Sequence, residues 1–389
     1  MDAVSVTAAK GFRAAGVAAG IKPGALDIAV LVADQPVTTT AVFTQNQAAA
    51  APVILSRESV LRSASKRGIV INSGCANAGT GTRGLANGRT MTETLANEIG
   101  CEPGDVLVCS TGAIGPQLPM ELVVPGIESA ASQLGASVES AARAATAILT
   151  TDSEPKQAVL ESGGWVVGGM SKGAGMVRPN MATMLAFITT DAIVEQGFLQ
   201  DVVRAAVDAS FNSLNIDGCE STNDTVVVMA SGASGVAPDP IRFARAVEEV
   251  CRDLTSRMAR DAEGASRVVT IDVTGAPDDA QARAVGRTVA DSALVRSSFY
   301  GGDVNWGRIL GALGTSSVTI DPESVVIGYQ GVVVFNGGMR ASYEETALLE
   351  SIETGDFAIT IDLNIGSGAA HIITTDLTPE YVVFNGERS

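Results

Sequence analysis

Groups able to do chemistry are scarce in this chain, and the scarcity narrows the options. One histidine, His371, among 389 residues removes sites that need two or three imidazoles, including the common zinc arrangements. No metal site is expected. His371 stands in Ala-Ala-His-Ile-Ile-Thr-Thr, an alternating, strand-like context, and reads as a structurally satisfied histidine rather than a member of a Ser-His-Asp triad. The five cysteines (Cys75, Cys101, Cys109, Cys219, Cys251) form no CxxC pair and fit reduced, mostly buried thiols. A catalytic hydroxyl here needs some other base. Thr183 offers one route. A glycine-containing loop, Lys172-Gly-Ala-Gly-Met-Val-Arg-Pro-Asn-Met-Ala182, feeds Thr183, and an apolar run from Met184 to Ile188 follows, which predicts a loop entering a buried strand. Cut between Ala182 and Thr183, the chain would expose an α-amino group of reference pKa about 7.7–8.0, able to accept the hydroxyl proton near neutral pH. Uncut, Thr183 is a strand-edge threonine bonded to backbone.

Other positions could assist. Asp105–Cys109 reads as a strand ending in Ser110-Thr-Gly-Ala-Ile-Gly-Pro116. There Thr111 and Gly112 could present a hydroxyl and an N–H to an oxyanion, glycine allowing the unusual φ and close approach. Thr150-Thr-Asp-Ser-Glu-Pro-Lys156 crowds polar groups after a helix, with a solvated loop the alternative. Lys172 could hold a carboxylate or be a solvated charge. Phe211–Asp224 is dense in Asn, Asp, Ser and Thr, which suggests a hydrogen-bonded network before the strand Thr225–Ala230. The small-residue loop Ser73–Thr82 lacks the GK[ST] of a phosphate loop. It reads either as backbone positioned near a ligand or as an ordinary strand-to-helix connection.

The elements around these groups alternate. Ile28–Val32, Thr38–Phe43 and Pro52–Leu55 read as short β-like runs punctuated by Asp34 and Pro36, and Gly68–Asn72 as a buried strand. Helical spacing covers Gly88–Ile99, Gly126–Leu149, Pro240–Arg260 and Pro277–Ser298, and Asp191 could cap a helix through Phe198, Val202, Val203 and Ala206. Phe299–Arg308 reads as a glycine-rich turn. Residues 317–385 read as short strands around one helix, Glu344–Glu353, finishing at Tyr381–Asn385. Alternating strands and helices indicate the α/β class.

Composition sets the limits. A length of 389 residues calls for two domains or one large layered one. Hydrophobic residues make up 46% and aromatics 4%, so the core must be aliphatic. A net charge of −17 without a Lys/Arg cluster argues against nucleic acid and anionic membranes as partners. No window is long and apolar enough to span a bilayer. Asp2, Lys10 and Arg13 interrupt the first twenty residues, so no signal peptide and a cytoplasmic protein are expected.

With Lys172–Asp191, Ser110-Thr-Gly-Ala-Ile-Gly, Thr150-Thr-Asp, Asp261-Ala-Glu-Gly and Asn305-Trp-Gly-Arg in this order, the chain resembles the ornithine acetyltransferases of arginine biosynthesis over essentially its whole length. The resemblance implies self-cleavage between Ala182 and Thr183, giving an α chain of 1–182 and a β chain of 183–389. Thr183 would then be the nucleophile, and Thr111 and Gly112 the oxyanion donors. Thr150, Lys172, Thr183, Glu263, Asn385 and Ser389 would contact substrate. It further implies acetyl transfer from N2-acetyl-L-ornithine to L-glutamate by a ping-pong route, no cofactor, and acetyl-CoA as a further acetyl donor. Pairs of the cut chains would assemble into an α2β2 heterotetramer. The implied fold is a four-layer α/β/β/α sandwich with a smaller C-terminal α/β lobe, roughly 275–389. An amidohydrolase or aminopeptidase of the same N-terminal-nucleophile type would share the acyl-enzyme chemistry and differ only in its acceptor, and a non-catalytic binding protein could keep the same fold.

Overall fold

The computed structural model describes residues 5–178, 184–353 and 355–387. Ala182, Thr183 and Ser389, three of the candidate site residues, lie outside them. The chain forms two compact units, one of Met1–Met176, Asn180–Asn212 and Glu220–Met258, the other of Val177–Pro179, Ser213–Cys219 and Ala259–Ser389. Each is built on its own sheet with helices, so the protein is mixed α/β as expected.

The first unit's sheet runs Val106–Ser110, Ser65–Asn72, Ile28–Phe43, Thr225–Ala230, Leu185–Thr190, Trp165–Lys172, Lys156–Ser162, with Phe12–Val17 also paired to Ile28–Phe43. Leu185–Thr190 and Thr225–Ala230 lie parallel at its centre and are buried at every residue, which is why they read as continuous apolar runs rather than alternating ones. Ile28–Phe43 alternates instead. Ile28, Val30 and Val32 join Met91, Leu95, Val123 and Ile127 in one core, while Ala29, Leu31 and Ala33 join Ala141, Ala144 and Phe187 in another. Two apolar faces on one strand require cover on both sides of the sheet.

Several sequence expectations shift here for local reasons. The two β-like runs before residue 44 are one sixteen-residue strand, whose pairing slips between Val32 and Val37. Pro36 has no N–H to give, so the ladder lapses there while the chain stays extended. Pro52–Leu55 is not extended but opens the helix Ala51–Arg62, where Pro in the first turn sacrifices no bond. The long helix expected over Gly126–Leu149 is two, Met120–Ser132 and Val138–Ala147. Between them Gly135 exchanges backbone bonds with Ala14, and a side chain there would meet Ser140 Oγ at 2.5 Å. Glu195, not Asp191, caps the helix Gln196–Ala209. Asp191 is buried and accepts the Val166 and Lys10 N–H groups.

The second unit's sheet runs Met339–Arg340, Val332–Asn336, Val326–Tyr329, Phe357–Asp362, Val268–Ala276, Gly368–Thr375, Leu214–Asn215. Its core joins Ile271, Ile359 and Ile372 of the sheet to Val285, Phe299 and Ile309 of the helices Asp279–Asp291, Ala293–Tyr300 and Trp306–Leu313. The helix expected over Pro277–Ser298 thus breaks at Ser292, whose side chain caps the second piece. Trp306–Arg308 opens a helix rather than lying in a turn. Tyr381–Asn385 is helical too, within Pro379–Gly386, because Thr378 caps the first turn and Pro379 suits its first position. His371 sits opposite Asp272 in the ladder, with Nδ1 2.6 Å from Asp272 Oδ1, the structural role its context suggested. Among the described residues the five cysteines are free, and no helix is long and apolar enough to cross a membrane.

Candidate active site

The strand Val106–Ser110 ends in the turn that carries Thr111 and Gly112. Thr111 N–H donates to the Asn72 carbonyl at 3.0 Å, so the turn continues the ladder of the neighbouring strand. Asn72 Nδ2 donates to the Cys75 carbonyl at 2.8 Å, and Ala76 N–H to the Ala113 carbonyl at 2.9 Å. The loop after Asn72 is thereby stitched to the turn along its length. Gly112 has φ +129°, and a Cβ there would lie 2.3 Å from the Gly74 carbonyl carbon. Only glycine fits, for both reasons. Gly112 is exposed while Thr111 is buried. Neither the Thr111 hydroxyl nor the Gly112 N–H donates to any described residue. Two donors side by side at a glycine turn, with nothing to bind, suit an anionic oxygen.

The polar segment before Thr225 clamps this turn in place. Asn223 Nδ2 donates to the Ala76 carbonyl at 2.7 Å and to the Ser110 carbonyl at 2.9 Å. Asp224, next along the chain, accepts the Met184 N–H on Oδ1 at 3.0 Å. The network expected over Phe211–Asp224 therefore has a definite task within this unit. It ties the glycine turn to the amide immediately after Thr183. Sequence reasoning named the segment but neither residue, because Asn223 meets partners 113 and 147 positions away.

Thr150 and Lys172 come together through a carboxylate not singled out from the sequence. The side chain of Asp152 is fully buried and lies 2.6 Å from Lys156 Nζ and 3.9 Å from Lys172 Nζ. It accepts the Gly173 N–H at 2.6 Å and the Thr150 N–H at 3.1 Å. Burial alone would push its carboxyl up, but Lys172, Lys156 and the backbone donor outweigh that and hold it at about 2. Lys22 adds a further cation, its Nζ donating to the Leu149 carbonyl at 2.7 Å. Burial lowers the Lys22 pKa, and its charge couples to Asp27, Lys172 and Asp152. Of the two readings of this loop both hold in part: residues 153–155 are exposed, while the side chains of Asp152 and Lys156 are buried in an ion cluster, and Lys172 is a buried charge rather than a surface one.

In the second unit, Glu263 follows the long helix and Asn385 lies on the C-terminal one. Asn385 Nδ2 donates to Glu263 Oε2 at 3.1 Å. Gly264, at φ +64°, lets the two segments close, since a Cβ there would meet Tyr381 N at 2.4 Å. Thr378 Oγ1 completes the join by donating to the Gly264 carbonyl at 2.6 Å. Arg178 pairs with Asp291 at 3.1 Å.

These features define a mixed α/β protein with two unpaired donors among the described residues at a glycine turn and a buried lysine–carboxylate cluster beside the same sheet. The chain belongs to the ArgJ family, whose model matches residues 13–389. It is 44% identical over 388 residues to the "Arginine biosynthesis bifunctional protein ArgJ" of Thermobifida fusca, covering 99% of this chain and 100% of that one. The protein of the same name from Streptomyces coelicolor is 45% identical, with 99% and 100% covered. Among solved structures, the ornithine acetyltransferase of Mycobacterium tuberculosis complexed with ornithine is 40% identical, covering 46% of this chain and 96% of that chain at a TM-score of 0.44.

Proposed function

We propose that the protein cuts itself between Ala182 and Thr183 and then transfers acetyl from N2-acetyl-L-ornithine to L-glutamate through an acetyl-threonine intermediate. The observation that carries this is the pair of unused donors, Thr111 hydroxyl and Gly112 N–H, on a turn clamped by Asn223 and Asp224 to the amide of Met184. On this reading Thr183 Oγ attacks the acetyl carbonyl and its own α-amine takes the hydroxyl proton. Thr111 and Gly112 hold the oxyanion, ornithine leaves with the proton, and the amine of glutamate resolves the acetyl-enzyme.

Both substrates carry an α-carboxylate, and Lys172 in its cluster with Asp152, Lys156 and Lys22 is the cation offered to it. Glu263 supplies an acceptor for the side-chain ammonium of ornithine. Thr150, Asn385 and Ser389 complete the assigned substrate contacts. The name shared by the relatives describes a bifunctional protein of arginine biosynthesis, which supports acetyl-CoA as a second acetyl donor here. A cytoplasmic α2β2 assembly of the cut chains belongs to the same reading.

Incubation with acetylornithine, with and without glutamate, tests the transfer. Acetylglutamate formed only when glutamate is present is the expected result. Free acetate released without glutamate would make the protein a hydrolase instead, because transfer requires that water be kept from the acyl-enzyme.

A further inference from the structure

Lys22 has spare binding capacity beside both parts of the site in the first unit. It is half-buried, and its Nζ donates to the Leu149 carbonyl at 2.7 Å, just past the helix Val138–Ala147. An ammonium has three N–H donors, and this one meets no second acceptor among the described residues. Asp27, the acid nearest to it in sequence, is committed to backbone. It accepts the Ala19 N–H on Oδ1 and the Gly20 and Lys22 N–H groups on Oδ2.

The stem of Lys22 reaches the Thr111–Gly112 turn through one residue. Gly74 has φ +96°, and a Cβ there would come 2.8 Å from Lys22 Cγ. Gly74 is also the residue whose carbonyl carbon a Cβ on Gly112 would meet at 2.3 Å. Its neighbour Ser73 is fixed from two sides, with N–H donating to the Asp27 carbonyl at 2.9 Å and Oγ to the Ala147 carbonyl at 2.6 Å. The tip of Lys22 meets Leu149, next to Thr150, whose own N–H donates to Asp152. Lys22 thus runs from the glycine turn to the lysine–carboxylate cluster, all within one compact unit.

Substrate chemistry calls for a cation in that place. In an N-acetylated α-amino acid, only the amide nitrogen and the α-carbon separate the acetyl carbon from the carboxylate carbon. An acetyl oxygen held at Thr111 and Gly112 therefore brings the carboxylate close to the turn, where Lys22 lies.

We propose, resting on the transfer reading above, that Lys22 binds the α-carboxylate of both substrates and, with Lys172, makes the site select free α-carboxylates over their amides. Burial disfavours the charge on Lys22 and Lys172 disfavours it further, against the pull of Asp27 and Asp152. A bound carboxylate offsets both effects.

Donor kinetics of the full-length protein test this. In a ping-pong reaction kcat/KM for the donor does not depend on the acceptor, so N-acetylornithine and its α-carboxamide can be compared directly. Lys22→Met should lower kcat/KM for N-acetylornithine about 10–10²-fold, as for loss of one hydrogen bond to a charged group, mainly through KM. Lys22→Arg should recover part of it, and the α-carboxamide should lose far less. Equal losses with both donors would overturn the assignment, since a merely structural lysine serves both alike. Were Lys22→Met unfolded, reductive methylation of the wild-type protein decides. N-acetylglutamate should shield Lys22 and its α-carboxamide should not, and equal labelling with both would overturn the assignment. A wild-type protein that makes no acetylglutamate from N-acetylornithine would overturn the transfer reading, and this assignment with it.

Discussion

Thr111 is the residue on which the proposed chemistry can be weighed singly. Its hydroxyl is one of two donors at the turn, and loss of one such donor typically costs about 10²–10³ in turnover. Thr111→Ala is predicted to lower kcat by that factor; a wild-type kcat would remove the role. Asp152 answers to pH. Its pKa falls from the ordinary 3.8 to about 2 in the fold, so its contribution to stability is fully present above the unfolded value and is lost as pH drops from about 4 toward 2. Asp152→Asn is predicted to destabilise the protein at neutral pH by about 3–5 kcal/mol, the usual cost of breaking a buried pair, and to remove that acid-side slope. Urea melts at pH 7 and pH 3 check both. The place of the Thr-Gly pair was legible because it depends on a local event, a strand ending at Ser110. Asp152 was not, because nothing in Thr150–Lys156 says that this one side chain turns inward from a partly exposed loop; the cation it serves, Lys172, arrives on another strand.

At the scale of elements, the turn and its scaffold make one claim together. Gly112→Ala would place a methyl group 2.3 Å from the Gly74 backbone, whereas Gly115, also at positive φ, has nothing within 4 Å of its would-be Cβ. Comparing the two separates backbone strain from collision. Gly112→Ala is predicted to lower Tm clearly more than Gly115→Ala and to abolish detectable turnover; equal effects would mean the close approach is unimportant. Central strands and long amphipathic helices were readable from periodicity, as Leu185–Thr190 and Pro240–Arg260 illustrate. Misread elements were those decided by one residue's backbone chemistry. Pro36 hid the continuity of one strand, Pro52 and Pro379 opened helices within runs that look extended, and Gly135 divided an alanine-rich helix. Asn223 and Asp224 escaped notice for a different reason: their partners are distant in sequence, and only the completed sheet brings them together.

At the scale of the whole molecule, the mixed α/β class followed from alternating elements, and membership of the ArgJ family rests on a match over residues 13–389. The count of four layers came from resemblance alone, since periodicity reports which faces are apolar and not what covers them. The proposed activity makes the chain two polypeptides in its working state, with Thr183 both the group that cuts and the catalyst that the cut releases. Thr183→Ala is accordingly predicted to stay a single chain. Intact mass spectrometry of the wild-type protein, taken before and after N-acetylornithine in the absence of glutamate, tests this most directly. Two species divided between Ala182 and Thr183 are predicted, with one acetyl group gained on the residue 183–389 species and lost again when glutamate is added. One uncut chain, unchanged in mass by acetylornithine, would contradict it.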